Sequence, residues 1–325
     1  MDEIAAVCSA VGASFGGALG ATATSGPGFA LKGEAIGLAI MIELPLVILN
    51  IQRAGPSTGM PTKTEQSDLM QALYGRNGDA PLCILAPQSA GDCFEIAVEA
   101  CRIATKYMTP VVVLSDGYIA NGAEPWKIPD MADIAPFPVQ FRTDTEGFHP
   151  FVRDDATLAR AWAKPGTPGL EHRIGGLEKS FDSGHISYDP ANHHKMTKVR
   201  EQKILNIADD LPEQSVEVGE DSGDVAVVGW GSTYGSIRKA VERLRDEGVN
   251  ASHVHVRQMW PLPRNLKSLL SNFKHIIVPE LNNGQLVRVL RAEYLLDAKP
   301  LDKIEGQPFK VTEIMNGVRE LLASS

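Results

Sequence analysis

The sequence predicts an α/β protein with two units, each a parallel sheet covered by helices. Two observations lead to this fold class: short apolar strand patterns alternate with helical patterns up to about Asn121, and the same alternation returns at Asp224. Strands and helices that alternate in this way form parallel sheets with helices on both faces. The chain has 325 residues, which is long enough for two domains with cores of their own.

The elements of the first unit follow one another at short intervals. The predicted helices cover residues 3–17, 29–42, 65–74 and 90–107, and the predicted strands cover residues 18–24, 44–51, 82–85 and 110–115. Between the first strand and the second helix, residues 25–28 (Ser-Gly-Pro-Gly) predict a turn, and Ser25 is placed to cap the helix that follows.

The middle of the chain breaks this alternation. Residues 121–223 are dense in Pro, Gly, His and charge, and only residues 158–163 and 192–209 have helical patterns. Because irregular stretches of this length are unusual inside a compact domain, we interpret this part as a connector that lies over another surface. The second unit then follows with strands at 225–228, 252–256 and 275–278 and helices at 235–247, 265–271, 284–294 and 311–322. The predicted domains are therefore 1–145, 146–223 and 224–325.

Composition excludes several classes of function. The net charge is −9 and the pI is about 5.4, which argues against nucleic acid and anionic membranes as partners. No apolar run has the roughly 18 residues of a membrane helix, and Asp2 and Glu3 stand where a signal peptide would be basic. The four cysteines form no CxxC pair. They predict buried thiols, a cytoplasmic location and no iron–sulfur cluster within this chain.

The loop after the predicted strand 44–51 combines cationic and hydroxyl side chains. It contains Arg53, Ser57, Thr58 and Lys63, together with glycines that let a ligand approach the backbone. Parallel sheets bind ligands at the carboxyl ends of their strands. The loop is therefore predicted to hold an anion. The alternatives are a solvated surface arginine and hydroxyls that bond only within the loop.

Two other motifs predict no ligand. Residues 229–235 (Gly-Trp-Gly-Ser-Thr-Tyr-Gly) follow a strand and open a helix, but Tyr234 stands where a dinucleotide fingerprint needs its third glycine. The next strand is followed by Arg257 instead of an acid, so we interpret this turn as structural. The histidines at 185, 193 and 194 have no metal-site spacing with a cysteine or an acid, and no metal is predicted in this chain.

Several longer strings carry a resemblance that covers essentially the whole chain. They are residues 22–29 (TATSGPGF), Glu43-Leu44-Pro45 with the loop of residues 52–66, residues 165–173 (PGTPGLEHR) and residues 228–233 (VGWGST). With these strings the chain resembles the alpha subunit of 2-oxoacid:ferredoxin oxidoreductases, and the 2-oxoglutarate branch in particular.

The resemblance implies a thiamine-diphosphate-binding-type pyrimidine domain followed by a transketolase C-terminal-like α/β domain. In the family a strand and a helix precede the position of Glu3, so the first domain is expected to be incomplete at its N-terminus. The implied activity is oxidative decarboxylation of 2-oxoglutarate to succinyl-CoA and CO₂, with electrons passed to ferredoxin. It requires a beta subunit that shares the thiamine diphosphate and holds Mg²⁺ and a [4Fe–4S] cluster. The alternatives are another 2-oxoacid (pyruvate or branched-chain), or a non-catalytic nucleotide- or CoA-binding or assembly subunit.

The resemblance also assigns roles to residues. Glu3 is expected to be the catalytic acid that hydrogen-bonds the cofactor's pyrimidine, with its pKa raised by burial; the alternative is an acid favoured in the first turn of a helix. The expected cofactor contacts are Thr24, Ser25, Gly26, Pro27 and Gly28. Arg53 is expected to hold the substrate's C1 carboxylate. Ser57, Thr58 and Lys63 would then hold the distal carboxylate of 2-oxoglutarate, or would bond only within their loop.

Overall fold

The computed structural model describes residues 2–324. Within that range the strands are β1 (Gly20–Thr24), β2 (Leu46–Gln52), β3 (Cys83–Leu85), β4 (Pro110–Asp116), β5 (Val216–Val218), β6 (Gly223–Gly229), β7 (Ala251–His255), β8 (Gln258–Trp260), β9 (Phe273–Glu280) and β10 (Ala298–Asp302). The helices are α1 (Glu3–Phe15), α2 (Gly26–Leu31), α3 (Gly33–Ile42), α4 (Leu69–Tyr74), α5 (Asp92–Tyr107), α6 (Gly117–Asn121), α7 (Pro190–Asn206), α8 (Tyr234–Asp246), α9 (Leu266–Leu270), α10 (Gln285–Tyr294) and α11 (Val311–Ala323).

The strands form two five-stranded sheets, as the α/β prediction requires. The first has the order β1-β2-β4-β3-β8, in which β1 to β4 are parallel and β8 is antiparallel to β3. The second has the order β10-β9-β6-β7-β5, with only β5 antiparallel. The Val-rich strand β4 is buried along its whole length, as expected for the interior of a sheet covered on both faces. Because β8 belongs to the second unit by sequence, it ties the two units together.

The second predicted helix differs from the structure. The predicted turn at residues 25–28 is the N-cap and first turn of α2, because proline is well suited to the first turn of a helix. The predicted capping by the Ser25 side chain is wrong, since that side chain makes no capping hydrogen bond. The predicted helix 29–42 is divided at Lys32 into α2 and α3.

The connector contains one long helix. The pattern at 192–209 is confirmed as α7 and a following 3₁₀ turn, Ile207–Asp209. The predicted helix at 158–163 is wrong: Leu158 has a left-handed φ of 57°, and Arg160 pairs with Arg153 in a β-bridge. The Arg160 guanidinium also bonds the carbonyls of Ile42 and Glu43. These tertiary contacts outweigh the local helical pattern.

The cysteine prediction holds only in part. Cys83 is buried, Cys93 and Cys101 are partly buried, and Cys8 is exposed on α1; all four thiols are free. Across residues 2–324, none of the helices combines the length and the apolar character that a membrane span needs. The predicted domain limits at 145 and 223 stay a prediction.

Candidate active site

Glu3 lies at the start of α1, beside the carboxyl end of β1. Asp2 caps the helix, and its side chain accepts a hydrogen bond of 2.8 Å from the backbone N–H of Ile4. Thr24, the last residue of β1, donates its hydroxyl to Glu3 Oε2 at 3.1 Å. Helix α1 runs antiparallel to β1, which brings these two predicted site residues together.

A buried lysine is the strongest partner of Glu3. Lys32 Nζ lies 2.6 Å from Glu3 Oε2 and donates a second bond of 2.9 Å to the Glu3 backbone carbonyl. The Lys32 side chain is 0% exposed and that of Glu3 is 35% exposed. The Lys32 hydrogen bond lowers the pKa of Glu3; partial burial opposes this effect, and the Thr24 hydroxyl adds to it. The predicted rise in the pKa of Glu3 is therefore wrong in this chain, because a buried cation faces the carboxylate.

Gly28 makes the close packing around Glu3 possible. A Cβ on Gly28 would lie 2.0 Å from Thr24 Oγ1 and 2.7 Å from Glu3 Cδ. Helix α2 can therefore approach the carboxylate only with glycine at this position. Glu3 Oε1 has no hydrogen-bond partner among the described residues and belongs to a partly exposed side chain. A carboxylate oxygen with this freedom can accept one more hydrogen bond, as a protonated pyrimidine nitrogen of thiamine diphosphate would donate.

The neighbouring turn touches polar residues that the sequence analysis missed. A Cβ on Gly26 would lie 3.2 Å from Asp68 Oδ2, and Asp68 accepts a hydrogen bond of 2.9 Å from Asn50. Burial raises the pKa of Asp68. Asn50 interrupts the apolar run of β2, and a buried amide in such a strand is the signal that points to this network. Ser25 is the N-cap of α2, and Pro27 lies in the first turn of this helix.

Arg53 follows β2 directly, at the root of its loop. The residue is half-buried, and its Nε atom has no hydrogen-bond partner within residues 2–324. Its carbonyl accepts a bond of 2.9 Å from Ser67, whose hydroxyl also donates to Asp68. Arg53 therefore belongs to the same carboxyl-end network as Asp68.

The other predicted substrate residues lie farther out. Ser57 and Thr58 are exposed at the tip of a loop that is closed by backbone bonds between Ala54 and Lys63 (2.9 Å) and between Met60 and Ala54 (3.0 Å). Lys63 is exposed and packs against Gly306 of the second unit. It lines an open cleft of about 1480 Å³ between the two units. The structure thus places Arg53 at the root of the loop and these three residues along its outer part.

The glycine-rich turn that opens α8 is filled by protein. Gly231 has a φ of 56°, and a Cβ there would lie 2.9 Å from Gln66 Nε2. That same amide donates a hydrogen bond of 2.7 Å to the Trp230 carbonyl, and Gln66 Oε1 accepts one of 2.9 Å from the backbone N–H of Leu281. These contacts support the interpretation of the turn as structural.

The fold is that of thiamine-diphosphate-binding α/β proteins. The family model described as "Pyruvate flavodoxin/ferredoxin oxidoreductase, thiamine diP-bdg" matches residues 1–186, and that described as "Pyruvate:ferredoxin oxidoreductase core domain II" matches residues 223–314. The chain belongs to the family of 2-oxoacid:ferredoxin oxidoreductase alpha subunits.

Individual relatives agree with this family. The chain is 52% identical, over 99% of its length, to the protein named 2-oxoglutarate oxidoreductase subunit KorA of Mycobacterium tuberculosis, and it spans 49% of that relative. The solved 2-oxoglutarate:ferredoxin oxidoreductase from Magnetococcus marinus, with 2-oxoglutarate, coenzyme A and succinyl-CoA bound, is 37% identical with a TM-score of 0.92. That match covers 98% of this chain and 56% of the solved one. A split-gene transketolase shares the fold alone (14% identity, TM-score 0.56, covering 99% of this chain and 82% of that one).

Proposed function

We propose that this chain supplies the pyrimidine-binding part of a 2-oxoglutarate:ferredoxin oxidoreductase that forms succinyl-CoA and CO₂ from 2-oxoglutarate. The observation that carries the proposal is the packing of Glu3, Thr24 and Gly28 at the carboxyl end of β1, in a chain whose first 186 residues match a thiamine-diphosphate-binding family. The chain spans about half of its mycobacterial relative, so the activity of the whole enzyme is part of the proposal.

Glu3 is the residue of this chain that acts on the cofactor. Thiamine diphosphate, when bound, supplies the carbon nucleophile and the electron sink that decarboxylation of a 2-oxoacid requires. Glu3 Oε1 would accept a hydrogen bond from the pyrimidine of a bound cofactor and hold a proton at its ring nitrogen. Lys32 and Thr24 fix the other oxygen, so the carboxylate keeps one orientation. Because Gly28 has no Cβ, the space beside the Glu3 carboxylate stays free of a side chain from α2.

Arg53 is the proposed contact for the C1 carboxylate of the substrate. It follows the β2 carboxyl end, and its guanidinium can bind a carboxylate through two parallel hydrogen bonds. Lys63, with Ser57 and Thr58, is proposed to attract the distal carboxylate from the outer part of the loop. Because these three side chains are exposed, they would act only when a partner chain or the substrate covers the loop.

The remaining parts of the reaction need a partner. A group of three or more metal-ligating side chains is absent from the described residues, and the four cysteines are free. We therefore assign Mg²⁺, the cofactor's diphosphate and a [4Fe–4S] cluster to a beta subunit, with ferredoxin as electron acceptor and coenzyme A as acyl acceptor. The proposed location is the cytoplasm, where such thiols stay reduced.

The experiment is a dye assay on the enzyme assembled from this chain and its beta subunit. Viologen reduction should depend on both 2-oxoglutarate and coenzyme A. Arg53→Gln should raise the KM for 2-oxoglutarate by about tenfold or more, as expected for the loss of a charge-assisted hydrogen bond. Lys63→Gln should raise the KM for 2-oxoglutarate but leave that for pyruvate unchanged.

Arg319→Gln serves as the matched control, because Arg319 is half-exposed and pairs with Glu247 on the second unit. An Arg53→Gln enzyme with an unchanged KM would contradict the assignment of Arg53. A wild-type enzyme that reduces the dye with pyruvate and not with 2-oxoglutarate would contradict the proposed substrate.

A further inference from the structure

A second pocket lies at the amino ends of the strands of the first sheet, opposite the candidate active site. Its volume is about 700 Å³, within the range of small-molecule sites. It is enclosed by the last turns of α5 and by residues 136–162 of the connector, and it includes Met108, two residues before β4 begins. We call it the connector pocket. Strand β2 has seven residues, so the pocket lies on the order of 20 Å from the carboxyl-end network of Arg53.

One wall of the connector pocket is basic. It carries Arg102, Lys106, Arg142, Arg153 and Arg160. Arg102 and Lys106 share one carboxylate, Asp210, at 2.6 and 2.8 Å, although Arg102 also binds Glu99. Asp154 also lines the pocket, but its carboxylate accepts three bonds from its own turn at Ala156 and Thr157.

The deepest part of this wall has more positive than negative charge. Among the described residues, Glu43 is the one carboxylate that binds the buried Arg153 and Lys203, the latter at 2.7 Å. Arg160 is 3% exposed and has no carboxylate partner within the described part of the chain. Its bonds go to the backbone carbonyls of Ile42, Glu43 and Ala161.

Three buried cations therefore face one buried carboxylate. The Arg153 Nε atom is also buried without a hydrogen-bond partner among residues 2–324. Burial lowers the pKa of Arg160 to about 10. An excess of buried positive charge is costly unless an anion neutralises it.

The lining of the connector pocket also includes apolar side chains. Among them are Phe137, Phe148, Val139 and Val152, and the two valines are more than two-fifths exposed, at 41% and 44%. Aromatic faces next to guanidinium groups can stack on a flat ring while the guanidinium groups bind phosphate oxygens through two parallel bonds.

We propose that the connector pocket binds a nucleoside polyphosphate, with the phosphates on Lys106, Arg142, Arg153 and Arg160 and the base against Phe137 and Phe148. The site is separate from the 2-oxoacid site, because the two lie at opposite ends of β2. A ligand in the connector pocket should therefore not compete with 2-oxoglutarate.

Isothermal titration calorimetry on the assembled enzyme, loaded with thiamine diphosphate and saturated with 2-oxoglutarate, tests this site. The probes are ADP, ATP, inorganic tripolyphosphate and adenosine. ADP and ATP should bind more tightly than tripolyphosphate, and adenosine should bind weakest. Equal affinities for ATP and tripolyphosphate would overturn the base contact, and adenosine binding as tightly as ADP would overturn the phosphate contact.

Variants locate the ligand. Arg142→Gln and Lys106→Gln change partly exposed side chains and should each weaken ADP binding by about tenfold. Arg160→Gln should weaken it more, but it also removes backbone contacts, so the two exposed variants keep the test valid if Arg160→Gln does not fold. Lys239→Gln, an exposed change on α8, is the control and should bind ADP normally. Absence of binding by the wild type, or equal binding by the pocket variants, would overturn the proposal.

Discussion

The ion pair between Glu3 and Lys32 should make Glu3→Gln and Lys32→Met differ in stability. The two side chains are unequally buried, at 35% and 0% exposure. Removing the exposed charge leaves a buried ammonium without its carboxylate, whereas removing the buried charge leaves a carboxylate that water can hydrate. The energetic consequence of each change follows from this asymmetry.

For Glu3→Gln, the ammonium keeps the Glu3 backbone carbonyl as an acceptor but loses a hydrogen bond to a charged group. Such a bond contributes about 1.5–3 kcal/mol to the free energy of unfolding. For Lys32→Met, an apolar chain of similar length replaces the buried cation. Because Glu3 is partly exposed and its interaction is screened, we expect a change within about 1 kcal/mol.

Thermal unfolding of the assembled enzyme measures the difference. Glu3→Gln should lower the Tm by on the order of 5 °C, and adding Lys32→Met should restore most of it. Since the folded pKa of Glu3 lies below its usual value of 4.5, the stabilisation is present above that pH and is lost as the pH falls through the folded pKa. The reasoning is refuted if Glu3→Gln is as stable as the wild type, or if Lys32→Met is the less stable of the two.

Three further predictions concern other parts of the fold. Burial disfavours the charge of Glu43, but its cationic partners outweigh that effect and hold its pKa low. Glu43→Gln should therefore lower the free energy of unfolding by about 3 kcal/mol or more. An unchanged urea midpoint of unfolding would contradict this prediction. Burial lowers the pKa of His253 to about 3 and that of His255 well below its usual value, so only the unfolded chain gains these protons below about pH 6.5. As the pH falls below that value, the free energy of unfolding should decrease by about 1.4 kcal/mol per pH unit for each histidine. Urea midpoints that stay constant down to about pH 5 would contradict this prediction. Gly28→Ala should abolish activity, because the new Cβ would overlap Thr24 and Glu3. The control is Gly37→Ala in α3, which should be neutral or stabilising because a Cβ there would meet nothing within 4 Å. Equal activity of the two variants would rule out the packing argument.

Local sequence patterns predicted the central strands of both sheets and most of the helices that cover them. Strand β4 was expected because it is a continuous apolar run that is buried on both faces. Strands β5, β8 and β10 were missed. Strands β5 and β8 are short and form through antiparallel pairing with a strand distant in sequence, and β10 is a largely exposed edge strand without an apolar run. Such pairing depends on tertiary contacts that no local pattern contains.

The candidate site was predicted less completely. The position of Glu3 beside Thr24 and Gly28 agrees with the resemblance to the family. Lys32 was missed because a lysine within a helical pattern is usually a solvated surface residue. Its burial follows from the division of the helix at that position, which directs the side chain toward α1. Because Lys32 was missed, the pKa of Glu3 was predicted to rise, whereas Lys32 lowers it.

The most direct test of the proposed role of Glu3 is the rate of viologen reduction by the assembled enzyme with 2-oxoglutarate and coenzyme A. We would compare the wild type, Glu3→Gln, and the double variant Glu3→Gln/Lys32→Met. General acid–base assistance, here by a Glu3 carboxylate that holds a proton on the pyrimidine nitrogen, contributes typically 10²–10⁴-fold to a rate, so both variants should lose about that much. The double variant should regain stability without regaining activity. Wild-type activity in the double variant would show that Glu3 only neutralises Lys32 and would contradict its catalytic role.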